Sequence, residues 1–285
     1  MRGGLSRFAS YMHWLALDGL VEPAGGWIRA IRDAGYDGVQ FIEPLDPTLV
    51  EAALAAGLRV CGSGRVNAVE DAERLAGEAW RHGLECLTLH VGWGIEDDDE
   101  AARLLGAILD ASIRHDVPLF VETHRATLFQ DIWRSVGFVQ RFPDLRFNAD
   151  FSHWYTGLEF VYGGLDRKLA FIAPIVDRVE FMHGRIGDPG CMQVDIGPVE
   201  TAQELPFVQH FRTMCSAVFH SYHRRHGADA TFRFAPELLA PAIYYGRTLG
   251  GRELSDRWSQ SMVLTRLARD WFEANAVGER QHAFA

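Results

Sequence analysis

The chain has 285 residues, 48% hydrophobic and 23% charged, which is ordinary globular composition and enough for one large domain or two small ones. The formal net charge of −10 gives a surface that repels nucleic-acid phosphate and anionic lipid, which argues against a large nucleic-acid- or membrane-binding face. The N-terminal stretch MRGGLSRFASYMHWLALDGL lacks an apolar run followed by a small-residue cleavage site, and no segment approaches the length of a membrane span. Cys61, Cys86, Cys191 and Cys215 are scattered without CxxC spacing, so a cytoplasmic protein with reduced thiols is expected, with neither a disulfide frame nor a zinc clip.

In chain order, the first short apolar run is FASYMHW (8–14), followed by the helical pattern AGGWIRAIRDAG. GVQFIE (38–43) and LRVCGS (58–63) come next, then the amphipathic VEDAERLAGEAWRHG. ECLTLHVG (85–92) precedes DDEAARLLGAILDASIRHD, with apolar residues three and four apart. LFVETH (119–124), RFNADFSH (146–153) and VEFMHGRI (179–186) are further strand candidates, and PFVQHFRTMCSAVFHSYHRRHG is a long helix. FRFAPELL (232–239) is the eighth run, and LSDRWSQSMVLTRLARDWFEA closes the chain. DAGYDG, AAGL and RHGL place glycine where helices stop, as a C-terminal cap requires.

Eight strands alternating with helices predict a parallel sheet. Without a linker or repeat, an α/β fold of one (β/α)8 TIM barrel over 1–285 fits best, with a last helix over about 253–275 and a short loose tail. A doubly wound open sheet is the alternative, but its Gly-rich first turn is missing from WLALDGLVEPAGG.

Barrel enzymes build their sites where strands end. Those positions hold His13 and Trp14, Glu43, Arg65 just past the third run, His90 and Trp93, Glu122 and His124, Asp150 with His153 and Trp154, His183 with Arg185, and Glu237. The last four strands offer Glu122, Asp150, His183 and Glu237. Three carboxylates brought together repel, and a cation relieves them. Oxygen-rich ligation with one imidazole and no thiolate suits one divalent ion: Mn, Mg, Co or Zn.

LFVETH, FNADFSHW, VEFMHGRIG and FAPELL resemble the metal strands of the xylose isomerase-like TIM barrel superfamily, which includes sugar isomerases, ketose 3-epimerases, dehydratases and endonuclease IV-type nucleases. HGRIGDPGCMQV resembles bacterial proteins described as sugar phosphate isomerases/epimerases. The resemblance implies that Glu122 and Glu237 are both metal ligands and the acid/base pair, with His153 and Arg185 binding substrate. It also implies a homodimer or homotetramer acting on a small carbohydrate or polyol.

The expected activity is isomerisation or epimerisation by proton transfer next to a carbonyl, through an enediolate. Arg185, two residues beyond His183, is expected beside the metal, stabilising an oxyanion or holding a carboxylate or phosphate, or else bridging to Glu237 or Asp150. His90 and Glu43 are candidate substrate contacts, and Trp14, Trp93 and Trp154 candidate apolar walls for a sugar ring.

Metal-dependent dehydration is the alternative on the same scaffold. A nuclease is disfavoured, because Asp195-Ile196-Gly197 lacks the histidine of the Asp-x-His pair such enzymes carry after the seventh strand. A non-catalytic barrel would need a degenerate ligand set, and all four ligands are present.

Overall fold

The structure, a computed structural model, describes residues 4–10 and 25–282, with side chains described from 4 to 7 and 26 to 276. Strands β1 (Leu5–Ser10), β2 (Gly38–Ile42), β3 (Arg59–Val66), β4 (Leu87–Val91), β5 (Leu119–Glu122), β6 (Phe147–Ala149), β7 (Val179–Gly184) and β8 (Phe232–Pro236) form a closed parallel barrel in chain order. The fold is the single (β/α)8 barrel that the alternation predicts. Two compact units share the chain: Phe8–Asn148, and Ala149–Ala285 with Met1–Arg7.

In the first unit, helices α1 (Gly25–Asp33), α2 (Pro47–Ala55), α3 (Val69–Arg81), α4 (Asp98–His115) and α5 (Ile132–Arg141) separate the strands. Their ends are written in the sequence. Asp46 accepts from the backbone N–H of Thr48 at 2.9 Å with Pro47 at the first helical position. Asp97 and Glu100 form a reciprocal capping box on α4, whose first turn is acidic and last turn basic. Gly35, Gly57 and Gly83 have φ of +80°, +81° and +66°, as the predicted glycine stops require.

Register runs Gly38↔Arg59 between β2 and β3, Arg65↔His90 between β3 and β4, and Leu87↔Leu119 between β4 and β5. One polar rung crosses this unit: Thr88 Oγ1 accepts from Gln40 Nε2 at 3.2 Å and from Asn148 Nδ2 at 3.0 Å, joining β2, β4 and β6. All three residues are buried.

The second unit carries α6 (Phe151–Gly157), α7 (Leu165–Phe171), α8 (Ala173–Val176), α9 (Val199–Ala202), α10 (Pro206–His226) and α11 (Arg257–His282). β7 pairs with β8 in the register His183↔Ala235. Phe211, Met214, Val218 and Phe219 of α10 are buried, as are Leu264, Leu267, Ala268 and Trp271 of α11. Beyond β8, Thr248–Leu249 and Arg252–Glu253 make a two-stranded antiparallel hairpin.

Several boundaries differ from the sequence reading. RFNADFSH is not one strand: β6 stops at Ala149 and Asp150 caps α6, its side chain accepting from the N–H of Ser152. The last helix runs from Arg257 to His282, beyond the expected end at about 275, so NAVGERQH at the start of the expected tail is helical. β3 extends to Val66 and takes in Arg65, which was placed beyond it. The reason lies in its glycines: a Cβ on Gly62 would come within 2.6 Å of Leu87, and one on Gly64 within 2.8 Å of Leu75, so their bareness lets neighbouring leucines close over the strand. Among the described residues no helix is long and apolar enough to cross a membrane, and the four cysteines are free thiols.

Candidate active site

Alternate residues of a strand share a face, so the ends of the strands project matched pairs: Thr88 with His90, Phe120 with Glu122, Phe181 with His183, Ala235 with Glu237. Apolar or neutral residues fill the lower layer and ionisable ones the next.

In the second unit the ionisable groups gather around Arg185. Its side chain is fully buried. Nη2 donates to Asp150 Oδ2 and, at 2.9 Å, to Glu237 Oε2, while Nε donates to Ser152 Oγ at 3.0 Å. Asp150 divides its carboxylate: Oδ1 accepts from the Ser152 N–H at 3.0 Å and the Ser152 hydroxyl at 2.6 Å, leaving Oδ2 toward Arg185. His183 Nδ1 lies 3.4 Å from Glu237 Oε2. His153 Nε2 lies 3.4 Å from Asp150 Oδ2 and 3.3 Å from Arg185 Nη2. Burial lowers the proton affinity of Arg185, but the carboxylates of Asp150 and Glu237 outweigh it and hold the guanidinium charged. Tyr245 lies over it, ring centre 4.7 Å from the guanidinium carbon. Arg185 Nη1 donates to nothing among the described residues.

In the first unit, Glu122 is 1% exposed and its Oε2 lies 3.1 Å from His90 Nε2. The His124 ring stacks on His90 with centres 4.1 Å apart. Arg65 Nη2 lies 3.5 Å from His90 Nδ1, and its guanidinium sits 4.2 Å over the Trp93 ring.

In the second unit Asp150, His183 and Glu237 each offer a donor atom within 4.8 Å of the others, and in the first unit His90, Glu122 and His124 do the same. Carboxylate oxygens carry two lone pairs each, so the hydrogen bonds already made leave acceptor capacity. Within the second unit, two carboxylates against the one guanidinium of Arg185 leave an excess of one negative charge, which a cation relieves. The donor set fits such an ion.

The remaining candidates fare differently. Arg185 makes both of the alternative bridges, to Asp150 and to Glu237, at once. Glu43 turns inward to the scaffold: Oε1 accepts the Arg65 N–H at 2.9 Å and Oε2 lies 3.3 Å from Arg74 Nη2. Trp154 is not a wall: it is 0% exposed and packs against Phe151 and Phe160. Trp93 is exposed beneath Arg65. His13 and Trp14 lie outside the described residues. Away from the site, Arg224 and Arg225 of α10 are ion-paired to Asp177 and Glu180, and Arg225 is largely covered. His124, named with Glu122 at the end of the fifth run, lies against His90.

The chain shares its fold with solved proteins described as xylose isomerase-like TIM barrels. Among solved structures, the chain is similar to a xylose isomerase-like TIM barrel protein from Mycobacterium smegmatis in complex with magnesium, at TM-score 0.59 and 14% identity over 95% of this chain and 98% of that one. It is similar to the probable 3-DHS dehydratase AsbF, involved in petrobactin synthesis, from Bacillus anthracis, at TM-score 0.55 and 12% identity over 94% and 97%. A third is a xylose isomerase domain protein from Planctomyces limnophilus, at TM-score 0.51 and 15% identity over 84% and 90%. No protein-family model matches the chain, and no curated protein matches it.

Proposed function

We propose that the chain is a divalent-metal-dependent isomerase or epimerase of small carbohydrates or polyols, with Glu122, Asp150, His183 and Glu237 as metal ligands. The observation that carries the reading is the metal-competent residue at the end of each of β5 to β8, together with the net negative charge around Arg185 in the second unit. The magnesium bound by the Mycobacterium smegmatis protein of like fold supports it. A bound divalent ion would polarise a substrate carbonyl and acidify the neighbouring C–H.

The chain's own residues then do the following. Glu122 and Glu237, from strands five and eight, act as the two carboxylates that take and return the proton. Arg185 donates to a substrate oxygen through Nη1, the one nitrogen of its guanidinium with no acceptor among the described residues. His153, held against Asp150 and Arg185, contacts a substrate hydroxyl or fixes the Asp150 carboxylate.

A second reading is dehydration, in which proton abstraction is followed by loss of a β-hydroxyl. The His90–His124 pair favours it, because it sets an imidazole beside Glu122 as an extra acid for a leaving hydroxyl. AsbF, a probable dehydratase, has the same fold.

The test is metal content of protein purified without chelator, beside a Glu122→Gln, Asp150→Asn double variant. About one Mn, Mg, Co or Zn per chain, lost in the variant, is expected; then ketoses and keto-polyols in D₂O should take up deuterium next to the carbonyl. An unsaturated product would select dehydration. No metal, with unchanged folding in EDTA, would refute the proposal.

A further inference from the structure

The sequence offers two arginines at the strand ends, and the reading above gave the anion-holding role to Arg185. The charges around the two arginines argue otherwise. Arg185 is clamped by the carboxylates of Asp150 and Glu237, so its charge is more than offset, and a single nitrogen remains free. One N–H-bearing nitrogen suits one uncharged oxygen and not a carboxylate or phosphate, which Arg binds best as a two-pronged fork.

Arg65 is the opposite case. It is half-buried, and among the described residues it forms no ion pair. Nη1 donates to the Gly92 carbonyl at 2.7 Å, and Nη2 faces His90 Nδ1 at a long 3.5 Å. Neither contact carries a negative charge. Two neighbouring carboxylates are turned away into the scaffold: Glu43 onto the Arg65 backbone and Arg74, Glu96 onto the N–H groups of Trp93, Gly94 and Ile95. Burial pushes its proton affinity down, and the fields of Glu122, Glu43 and Glu96 only partly oppose this. A guanidinium has five N–H donors, so at least three remain for a ligand. Trp93 lies under its plane and holds the fork in place. Through His90, Arg65 stands one side chain away from Glu122.

We propose that Arg65 is the specificity-determining residue of this site, taking an anionic group of the substrate, a carboxylate or a phosphate, while the reacting carbons lie toward Glu122. This deepens the reading above, resting on it for the position of the reacting atoms, and makes the substrate an acidic or phosphorylated hydroxy-carbonyl compound instead of a neutral sugar.

Calorimetric titration of the full chain with inorganic phosphate, glycolate and the neutral dihydroxyacetone would test it, run once with Mn²⁺ and once in EDTA. Wild type should bind phosphate or glycolate. Arg65→Gln should weaken that binding at least tenfold in both arms, and Arg65→Lys, which keeps the charge but not the fork, should fall between. Dihydroxyacetone should not distinguish Arg65→Gln from wild type. Phosphate alone would mark a phosphorylated substrate, glycolate alone a carboxylate. Equal anion binding by wild type and Arg65→Gln, or none by either, with circular dichroism showing both folded, would overturn the proposal. Metal content of the same samples separates the two failures. A metal-free chain whose anion binding still needs Arg65 keeps this site and loses the metal reading; a metal-loaded chain indifferent to Arg65 does the reverse.

Discussion

Arg185→Met removes the guanidinium but keeps an apolar side chain of comparable length. In wild type that guanidinium meets Asp150, Glu237 and Ser152, and both it and the Asp150 side chain are fully buried. Deleting one partner of a buried ion pair costs about 3–5 kcal/mol, because the other charge stays behind unmatched. At about 2–4 °C per kcal/mol for a domain of this size, the midpoint in EDTA should fall by about 6–20 °C. A divalent cation should then do more for the variant than for wild type, since the two carboxylates it meets are no longer neutralised. Mn²⁺ at a hundred times its dissociation constant would restore about 2.7 kcal/mol. Differential scanning fluorimetry of both proteins, with EDTA and with Mn²⁺, measures all four midpoints. A variant as stable as wild type in EDTA would refute the clamp. An equal Mn²⁺ shift in the two proteins would refute the idea that guanidinium and cation share the same carboxylates.

Two further outcomes follow from the same region. A Cβ built at Gly184 would overlap the ring of Phe234 on the paired strand, so Gly184→Ala should cost about 1–3 kcal/mol by overpacking, measured by urea denaturation, and should disturb the adjacent His183. Burial pushes the Cys215 thiol up to about 12 from 9.0. The folded chain therefore keeps this proton where the unfolded chain releases it, so stability is unaffected below pH 9 and declines as pH rises from 9 toward 12. Native protein at pH 8 should leave Cys215 unlabelled by iodoacetamide, and labelling at the rate of an exposed thiol would contradict the burial.

Much of the barrel was legible because its strands announce themselves. LFVE is three apolar residues and a carboxylate, and both the strand and the ligand candidate follow from that. His183 and Glu237 are visible for the same reason. FNADFSHW misled because its alternation continues past Asp150, yet Asp-Phe-Ser is also a helix start, with Asp150 at the cap and Ser152 supplying the bonded N–H. Once the chain turns helical there, His153 sits on α6, against Arg185 and Asp150, and not on a strand. The helix at Pro47–Ala55 carries an Asp-Pro start signal in the sequence, but its nine residues are too few to show a periodic stripe. What composition and spacing do not carry is pairing. That Glu43 is taken up by Arg74 and a backbone N–H, or that Arg185 is neutralised while Arg65 is not, depends on contacts between residues tens of positions apart.

The rung formed by Gln40, Thr88 and Asn148 has a consequence for how this barrel assembles. Parallel strands buried on both faces are nearly uniform apolar runs, and such runs slide against one another with little change in burial. A hydroxyl that must meet two amides from two different strands removes that freedom. Displacing β4 by a single residue would put Leu87 or Leu89 opposite both amides and strand them in a dry interior. The rung thus works as an alignment pin, and the ionisable groups one layer above inherit their relative heights from it.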